Sequence, residues 1–527
     1  MTSLTPDQRV IGRENTNTAL GVSRRDFLKG AAVAPAAGAY YFGYQSSEPI
    51  KPVKAVVIGT GDEGCQAMIR YHNRDYVDYI GFCDIRPSQV KRGEKEFLAH
   101  KQYTASEVAK IVDRSKNKYD HDYRKALQDP EVELIVIALP LWLHAPVAIE
   151  AMKAGKHVLC EKLMAKTVEQ CKDMVKTAHE TNRLLAIGHQ RHYSVLYDNA
   201  NYLIQNNHLG DIRHIRALWH RNNGQPVYAK DKDGGIQYDT NGNPVIMKDE
   251  AGQIVYWDSW KKPIPEDDRS IDVKKYGWNS VDELVRWRLY ERTGAGLMAE
   301  LGSHQLDACS IFLGKKHPLS VQGYGGTILY KDGRQVDDHV FTTFEFPGQA
   351  KDDRVIVTYS SINTNAFEKY GEEVMGTYGT MIIEEEKEIL LYKENDRNKT
   401  QLGGRNMSIT MQSGPAGKPV AETSATWSGP SAASSLGGSA TADPSRGYRE
   451  ELEHFAYCMR KGDPKNYHAE NQYQPRCKGE VALADAVIAL TSNIAMKQGI
   501  RVKFDEKWFD WKSPETPEKA LTLAKNS

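Results

Sequence analysis

The chain has 527 residues, enough for two or three domains with sizeable cores, and its 40% hydrophobic and 26% charged content is that of an ordinary globular protein. With 69 basic residues against 69 acidic ones it shows no basic stripe, so nucleic acid and anionic membranes are not expected as partners. The seven cysteines are scattered without CxxC pairs, so neither a disulfide framework nor a zinc site is encoded, and no metal is expected.

The first predicted element is an address. In "SRRDFLKG", Arg24 and Arg25 precede Phe27 and Leu28, and a soft Ala/Gly-rich uncharged run follows. A twin arginine before a weakly apolar stretch predicts export by the twin-arginine (Tat) machinery to the periplasm or cell envelope. Pro35, several glycines and the scarcity of Leu, Ile and Val make the run a poor membrane span. Small residues from Ala34 to Ala39 fit cleavage, and an uncleaved anchor is the alternative. Residues 1–50 are read as signal and linker.

From residue 51 the pattern changes. The short apolar runs "VKAVVIG", "VDYIGFCD", "ELIVIALP", "KHVLCEK" and "RLLAIGHQ" alternate with helix-like segments such as "VEQCKDMVKTAHETN". That alternation predicts a doubly wound parallel sheet of the Rossmann type over 51–188, in an α/β protein. Residues 189–510 have a different texture. "DIRHIRALWHR", "DHVFTTFEF" and "RVIVTYSSI" alternate with period two, which predicts an α+β domain on a large, mostly antiparallel open sheet. Within it, 221–285 reads as a polar insertion of surface hairpins with turns at "KDGG", "TNGN" and "EAGQ". Its aromatics Tyr256, Trp257, Trp260 and Trp278, with Trp287 just beyond, read as core or lid, with sugar stacking as the alternative. The Gly/Ser/Ala-rich 400–446 reads as a flexible loop, and 511–527 as a tail. No fixed-period repeat is evident.

Gly59, Gly61 and Gly64 follow the first strand and open a helix, with Asp62 and Glu63 between the last two, giving G-x-G-x-x-G in the context it needs. The helix N-terminus would face the pyrophosphate. Asp84 ends the second strand, 20 residues after Gly64, where a carboxylate can accept both ribose hydroxyls. It would repel a 2′-phosphate, so NAD is expected over NADP, with Arg86 two residues on as a partial offset. Pro140, His144, Glu161 and Lys162 fall at the C-terminal sheet edge and complete the expected cofactor contacts. His144 reads as a helix-capping or packing residue rather than a reacting one.

Glu300, His304 and Asp307 are spaced i, i+4 and i+7, on one face of a predicted helix, where a carboxylate could orient the imidazole and raise its pKa. Lys162 could instead pair with Glu161, and His304 could simply pack. Arg191, His192 and Tyr193 follow the last strand of the first domain and are candidate substrate contacts.

These stretches together resemble the glucose–fructose oxidoreductase/inositol dehydrogenase (Gfo/Idh/MocA) family. The matching stretches are "VIGTGDEG", "CDIRP", "HAPVAIEAMKAGKHVLCEK", "GAGLMAELGSHQLD" and "NIAMKQGIRVKFD", over roughly 51–220 and 290–505. The resemblance implies that the lysine of an E-K-P motif, here Lys162, holds a substrate hydroxyl near the nicotinamide. It also implies that His304 assists proton transfer, with Glu300 where the family often has Asp. Leu163 replaces the motif's proline, and "PLWLH" stands where the family often reads P-N-H-L-H. The implied substrate is a carbohydrate, and the implied assembly a homo-oligomer paired through its open sheets.

Export and a dinucleotide sit together only if the cofactor travels inside the folded protein. At an association rate constant of about 10⁶ M⁻¹s⁻¹ a nanomolar site empties at about 10⁻³ s⁻¹, within minutes. Retention therefore needs tighter binding or a lid, and the cycle must regenerate the cofactor in place. Three activities fit: a sugar or polyol oxidoreductase with internally recycled NAD, an NAD-dependent glycosidase working by transient oxidation, elimination and re-reduction, and a catalytically silent sugar-binding protein.

Overall fold

The computed structural model describes residues 4–20, 39, 42–44, 49–249, 252–394, 410–413, 419–422, 446–469 and 473–523. Five short, almost wholly buried strands build the first sheet: β1 (Val53–Ile58), β2 (Val77–Cys83), β3 (Leu134–Ile137), β4 (His157–Glu161) and β5 (Leu185–Gly188). They are all parallel in the order β2-β1-β3-β4-β5. Alternate residues of β1 feed different cores, Val56 and Ile58 on one face and Val53, Ala55 and Val57 on the other, which is why its sequence is apolar throughout. The strand order reverses between β1 and β3, so the crevice opens beyond their C-terminal ends, at Gly59 and Pro140.

The second sheet takes β6 (Ile212–His220), β7 (Ser320–Gly326), β8 (His339–Pro347), β9 (Arg354–Ile362), β10 (Tyr370–Gly376), β11 (Gly379–Glu384) and β12 (Glu388–Lys393). A separate ladder joins β13 (Thr410–Ser413) to β14 (Pro419–Glu422), and β15 (Val502–Lys503) returns to the edge of β7. The order is β12-β11-β10-β6-β9-β8-β7-β15, antiparallel except for the β6–β9 pair. One face carries the helices Ser303–Phe312 and Gly479–Gln498. The latter is long and apolar enough to cross a membrane, but here it is largely buried between β7 and the helix Val168–Thr181.

The segments at both ends are more integrated than their composition suggests. Pro6–Ala19 is a capped helix docked on β12: Arg9 and Arg13 pair with Glu388 at 2.8 and 2.6 Å, and buried Thr16 donates to the Ile389 carbonyl. Arg24 and Arg25 lie outside the described residues, as does most of 400–446. The helix Tyr448–Lys461, which follows the second sheet in sequence, buries Tyr448, Leu452 and Phe455 in one core cluster with Val57, Met68 and Phe82 of the first domain. Chain beyond residue 510 also folds back. The buried Lys172 ammonium donates to the carbonyls of Lys507, Ser513 and Glu515, and Glu518 accepts from the Val168 N–H at 2.7 Å.

The insertion forms three hairpins whose tips are the Asx turns at Asp231, Asp239 and Asp249, each closed by a positive-φ glycine (Gly234, Gly242, Gly252). Their stems join in a ring: Gln237 N–H donates to Ala229, Val245 to Gln237 and Ala229 to Val245. These three related turns, at unequal spacing, are a repeat that a fixed-period reading misses.

Candidate active site

A cavity of about 480 Å³ runs along the crevice, from Asp84 and Arg86 at one end to Lys162, Arg288 and Glu300 at the other. The glycine cradle fits a dinucleotide. Gly59 has φ +93°, and a Cβ there would lie 2.3 Å from the Ala138 carbonyl oxygen, while one on Gly64 would lie 2.0 Å from the Gly59 oxygen. A Cβ on Gly61 would meet nothing within 4 Å among the described residues beyond its chain neighbours. Two glycines therefore pack strand, turn and helix together, and the middle one leaves room for a phosphate at the start of the helix over 62–71. Asp84 accepts the backbone N–H of Thr60 on one oxygen and that of Arg86 on the other, both at 2.9 Å. Burial raises its pKa against those bonds; the Thr60 hydroxyl also lies 3.4 Å from the first oxygen, and the second keeps a lone pair for a ribose hydroxyl.

Arg86 does not stand free. Its Nε donates to Asp268 at 2.9 Å, so the offset expected of it toward a 2′-phosphate is corrected: a second carboxylate already holds that charge. Fully buried Asp268 also accepts from the Ser88 N–H at 3.0 Å and the Ser88 hydroxyl at 2.6 Å. Lys91 pairs with Asp267, and Lys262 with Asp62, both at 2.7 Å. The segment 259–288 is thereby strapped across the cavity, contributing Trp260, Tyr276, Trp278 and Trp287 to its wall. Asp62 is part of this fastening. Burial would raise its carboxyl, but Lys262 and Arg92 bring it down to about 2.

At the other end, β4 delivers Glu161 and Lys162. Among the described residues buried Glu161 accepts only the Lys162 backbone N–H, at 3.2 Å, and burial, then the nearby Glu63 charge, push its carboxyl up. The Lys162 ammonium makes no ion pair with it among the described residues and donates instead to the Glu300 carbonyl, at 3.4 Å. The Lys162–Leu163 peptide is cis. His144 starts the helix His144–Lys153 with its Nδ1 2.8 Å from the Leu163 oxygen and its Nε2 2.8 Å from the Leu139 oxygen. It ties the two strand ends together, and burial holds it below its ordinary pKa.

Glu300 and Asp307 do not orient His304 as their spacing suggests, although the Asp307 charge still works to raise its pKa. Met298–Gly302 is a π-helical turn, which shifts the register ahead of Ser303–Phe312. Glu300 turns to Arg288, whose Nε donates to it at 2.7 Å. Burial would raise its pKa, but Arg288 and Lys162 hold it below the usual range. Asp307 turns the other way, to His192 at 2.8 Å and Lys315 at 2.7 Å. The expected rise in the pKa of His304 is therefore corrected. Burial, then the charges of Lys162 and Arg191, push it well below 6.5, and its buried Nδ1 has no partner among the described residues.

Arg191, His192 and Tyr193 do not line the cavity, and neither do His304 and Asp307; the first three are instead committed to protein partners. Arg191 is 1% exposed, pairs with Glu372 at 2.8 Å and Glu386 at 2.7 Å, and donates to the His304 carbonyl at 2.6 Å. It fixes the helix that carries His304. Buried Tyr193 receives the Cys477 N–H. His189, Asp307 and Asp485 come within metal-ligand distance of one another, but the Lys315 ammonium lies 2.7 and 3.5 Å from the two carboxylates and supplies their positive charge. Asp268 and Arg288 are the site residues that motif reading misses, whereas Trp260, expected as core or lid, lies in the cavity wall. The local signal for Asp268 is the charged density of the insertion, and Arg288 follows just beyond it.

Three family models match the chain: the oxidoreductase family, NAD-binding Rossmann fold at 53–189, the GFO/IDH/MocA C-terminal domain at 269–382, and the twin-arginine translocation signal sequence at 21–39. Among curated relatives, a glycosyl hydrolase family 109 protein of Phocaeicola vulgatus is 26% identical over 189 residues, 35% of this chain and 43% of that protein. An α-N-acetylgalactosaminidase of Shewanella oneidensis is 25% identical over 155 residues, 28% of this chain and 29% of that one. The chain thus spans less than half the length of these relatives. An inositol dehydrogenase homologue of Azotobacter vinelandii, complexed with NADH and myo-inositol, superposes with a TM-score of 0.56 at 14% identity, over 86% of this chain and 98% of that one. Levoglucosan dehydrogenase, complexed with NADH and levoglucosan, gives 0.55 at 16% identity, over 86% and 100%. At these identities the superpositions speak for the fold. With its two domain models matched in order behind an export signal, the chain belongs to the Gfo/Idh/MocA family of NAD-binding oxidoreductases and carries the address of the twin-arginine pathway.

Proposed function

We propose that the protein oxidises a sugar, polyol or sugar derivative with an NAD that stays bound through the whole cycle and is recycled by a second substrate. The observation that carries this reading is the strap: an exported protein has no cofactor pool to draw on, and Asp268 fastens chain over the dinucleotide cavity with three hydrogen bonds. The paired carboxylates Asp84 and Asp268 at that end favour NAD over NADP. Bound there, NAD supplies a hydride acceptor.

The chain's own residues do the rest. Lys162, fixed against the Glu300 carbonyl, holds the substrate hydroxyl and stabilises its developing negative charge. His304, kept neutral, has a lone pair free to take the hydroxyl proton. Glu300, anchored by Arg288, holds the wall between them in place. A homo-oligomer belongs to the same reading, since Tyr324, Phe341 and Ile356 are exposed on the face of the second sheet away from the helices.

The family 109 relatives favour a second reading, a glycosidase in which oxidation is transient and hydride returns to the sugar. Aryl glycosides and free sugars, given to purified protein without added NAD, separate the two. The primary reading expects a free sugar to change the absorbance of bound nicotinamide. Aglycone release would favour the glycosidase, and neither response would reject both.

A further inference from the structure

The chain ahead of the twin arginine is built into the second sheet. On the open side of the edge strand β12, the Thr16 hydroxyl donates to the Ile389 carbonyl at 3.1 Å and the Asn15 amide to the Leu391 carbonyl at 2.9 Å. An open edge offers such groups to any other strand, and here a helix occupies it. The Tyr392 hydroxyl donates to the Gln8 carbonyl at 2.9 Å. A Cβ on Gly12 would lie 2.9 Å from the Leu390 Cβ, so the helix sits as close to the strand as glycine allows. Partly buried Arg9 pairs with Glu384 and Glu388, and Arg13 with Glu388.

The two ends of the helix reach different faces of the sheet. Leu4 packs on the cluster of Leu218, Ile382 and Leu390, on the face away from the main core, whereas Ala19 and Leu20 pack on that core. The matched export signal, 21–39, begins only after these contacts. Just beyond it the chain is anchored again. Tyr44 is fully buried with its hydroxyl on Glu453 at 2.7 Å, and Phe42 lies 4.6 Å from the Arg476 guanidinium. A cut between 21 and 38 therefore leaves docked chain on both sides.

We propose that the helix Pro6–Ala19 is a permanent part of the exported protein: the β12 edge is its docking site, and processing of the signal leaves it bound. The ion pairs alone would hold little, being partly exposed. The capped edge carbonyls and the buried Gly12 and Thr16 fix the helix, and the arginines set its register along Glu384 and Glu388. Its loss would open the apolar strand Glu388–Lys393 to pairing between chains. The proposal does not depend on which reaction the cavity supports.

Peptide mapping of protein purified from the cell envelope should find residues 6–19 in one copy per chain, whether or not the chain is cut after them. The mode of retention is read on full-length protein carrying a protease site between Leu20 and Ala39, cut after purification and passed over a sizing column. The N-terminal piece stays with the body. Arg9→Glu with Arg13→Glu speeds its release at least tenfold, as like charges brought together would. Glu384→Lys with Glu388→Lys restores retention of that reversed helix. None of the four residues lines the cavity, and the melting transition of the body verifies that it remains folded. An envelope protein that lacks residues 6–19, a wild-type piece that separates, or retention indifferent to the charge reversals overturns the proposal.

Discussion

Lys162 holds its ammonium against a main-chain oxygen rather than a carboxylate, so its charge is positioned but not neutralised. Lys162→Ala should keep the bound dinucleotide and lose at least tenfold in turnover in single-turnover assays. Unchanged turnover would remove Lys162 from the chemistry. The glycines separate two roles in the same way. Gly61→Val meets open space, so it should leave the melting temperature near that of wild type while bound dinucleotide falls sharply. Gly64→Ala drives a methyl into the Gly59 oxygen and should cost stability itself, about 1–3 kcal/mol. Calorimetry with cofactor quantitation distinguishes the two. At this scale the sequence is most readable where the chemistry is local: Gly59, Gly61, Gly64 and Asp84 lie within one strand–helix–strand unit. Arg191 is hidden for the opposite reason. Its partners Glu372 and Glu386 lie 181 and 195 residues away, and no local pattern marks a buried ion pair.

Among elements, the strap and the helix Tyr448–Lys461 do work that their sequences do not announce. Asp268 reaches Arg86 across 182 residues. Asp268→Ala should speed cofactor release at least tenfold, the effect of losing about 1.4 kcal/mol of charge-assisted hydrogen bonding, measured by trapping released NAD. An unchanged release rate would leave the strap without a role in retention. The helix Tyr448–Lys461 buries Glu453, which accepts from the Tyr44 hydroxyl at 2.7 Å and from Asn73 at 2.9 Å. Burial pushes this carboxyl from 4.5 up to about 7. Its folded-state pKa is raised, so its contribution to stability is complete below about pH 4.5 and is lost as pH rises through 7. Glu453→Gln should therefore flatten the fall in melting temperature between pH 5 and 8, and an equally steep fall would contradict the assignment. The π turn at Met298–Gly302 shows where element-level reading stops. A 3.6-residue period puts Glu300, His304 and Asp307 on one face, but one inserted register shift sends the two carboxylates to different partners.

At the scale of the whole molecule, alternating β and α segments followed by period-2 strands were enough to read the two sheets and their order along the chain. The interlocking was not readable. The helix Tyr448–Lys461 and the chain after residue 510 return to the first domain, because apolar faces left open by the sheet can be covered by any later segment of suitable pattern. The proposed capture of the cofactor rests on the segment 259–288, which lines the cavity and is tied to the first domain by Asp268. The most direct measurement is mass spectrometry of the dinucleotide released on denaturing protein purified from the cell envelope. A captive cofactor predicts close to one NAD per chain after extensive dialysis. An envelope protein that yields none, and gains none when NAD is supplied, would contradict it.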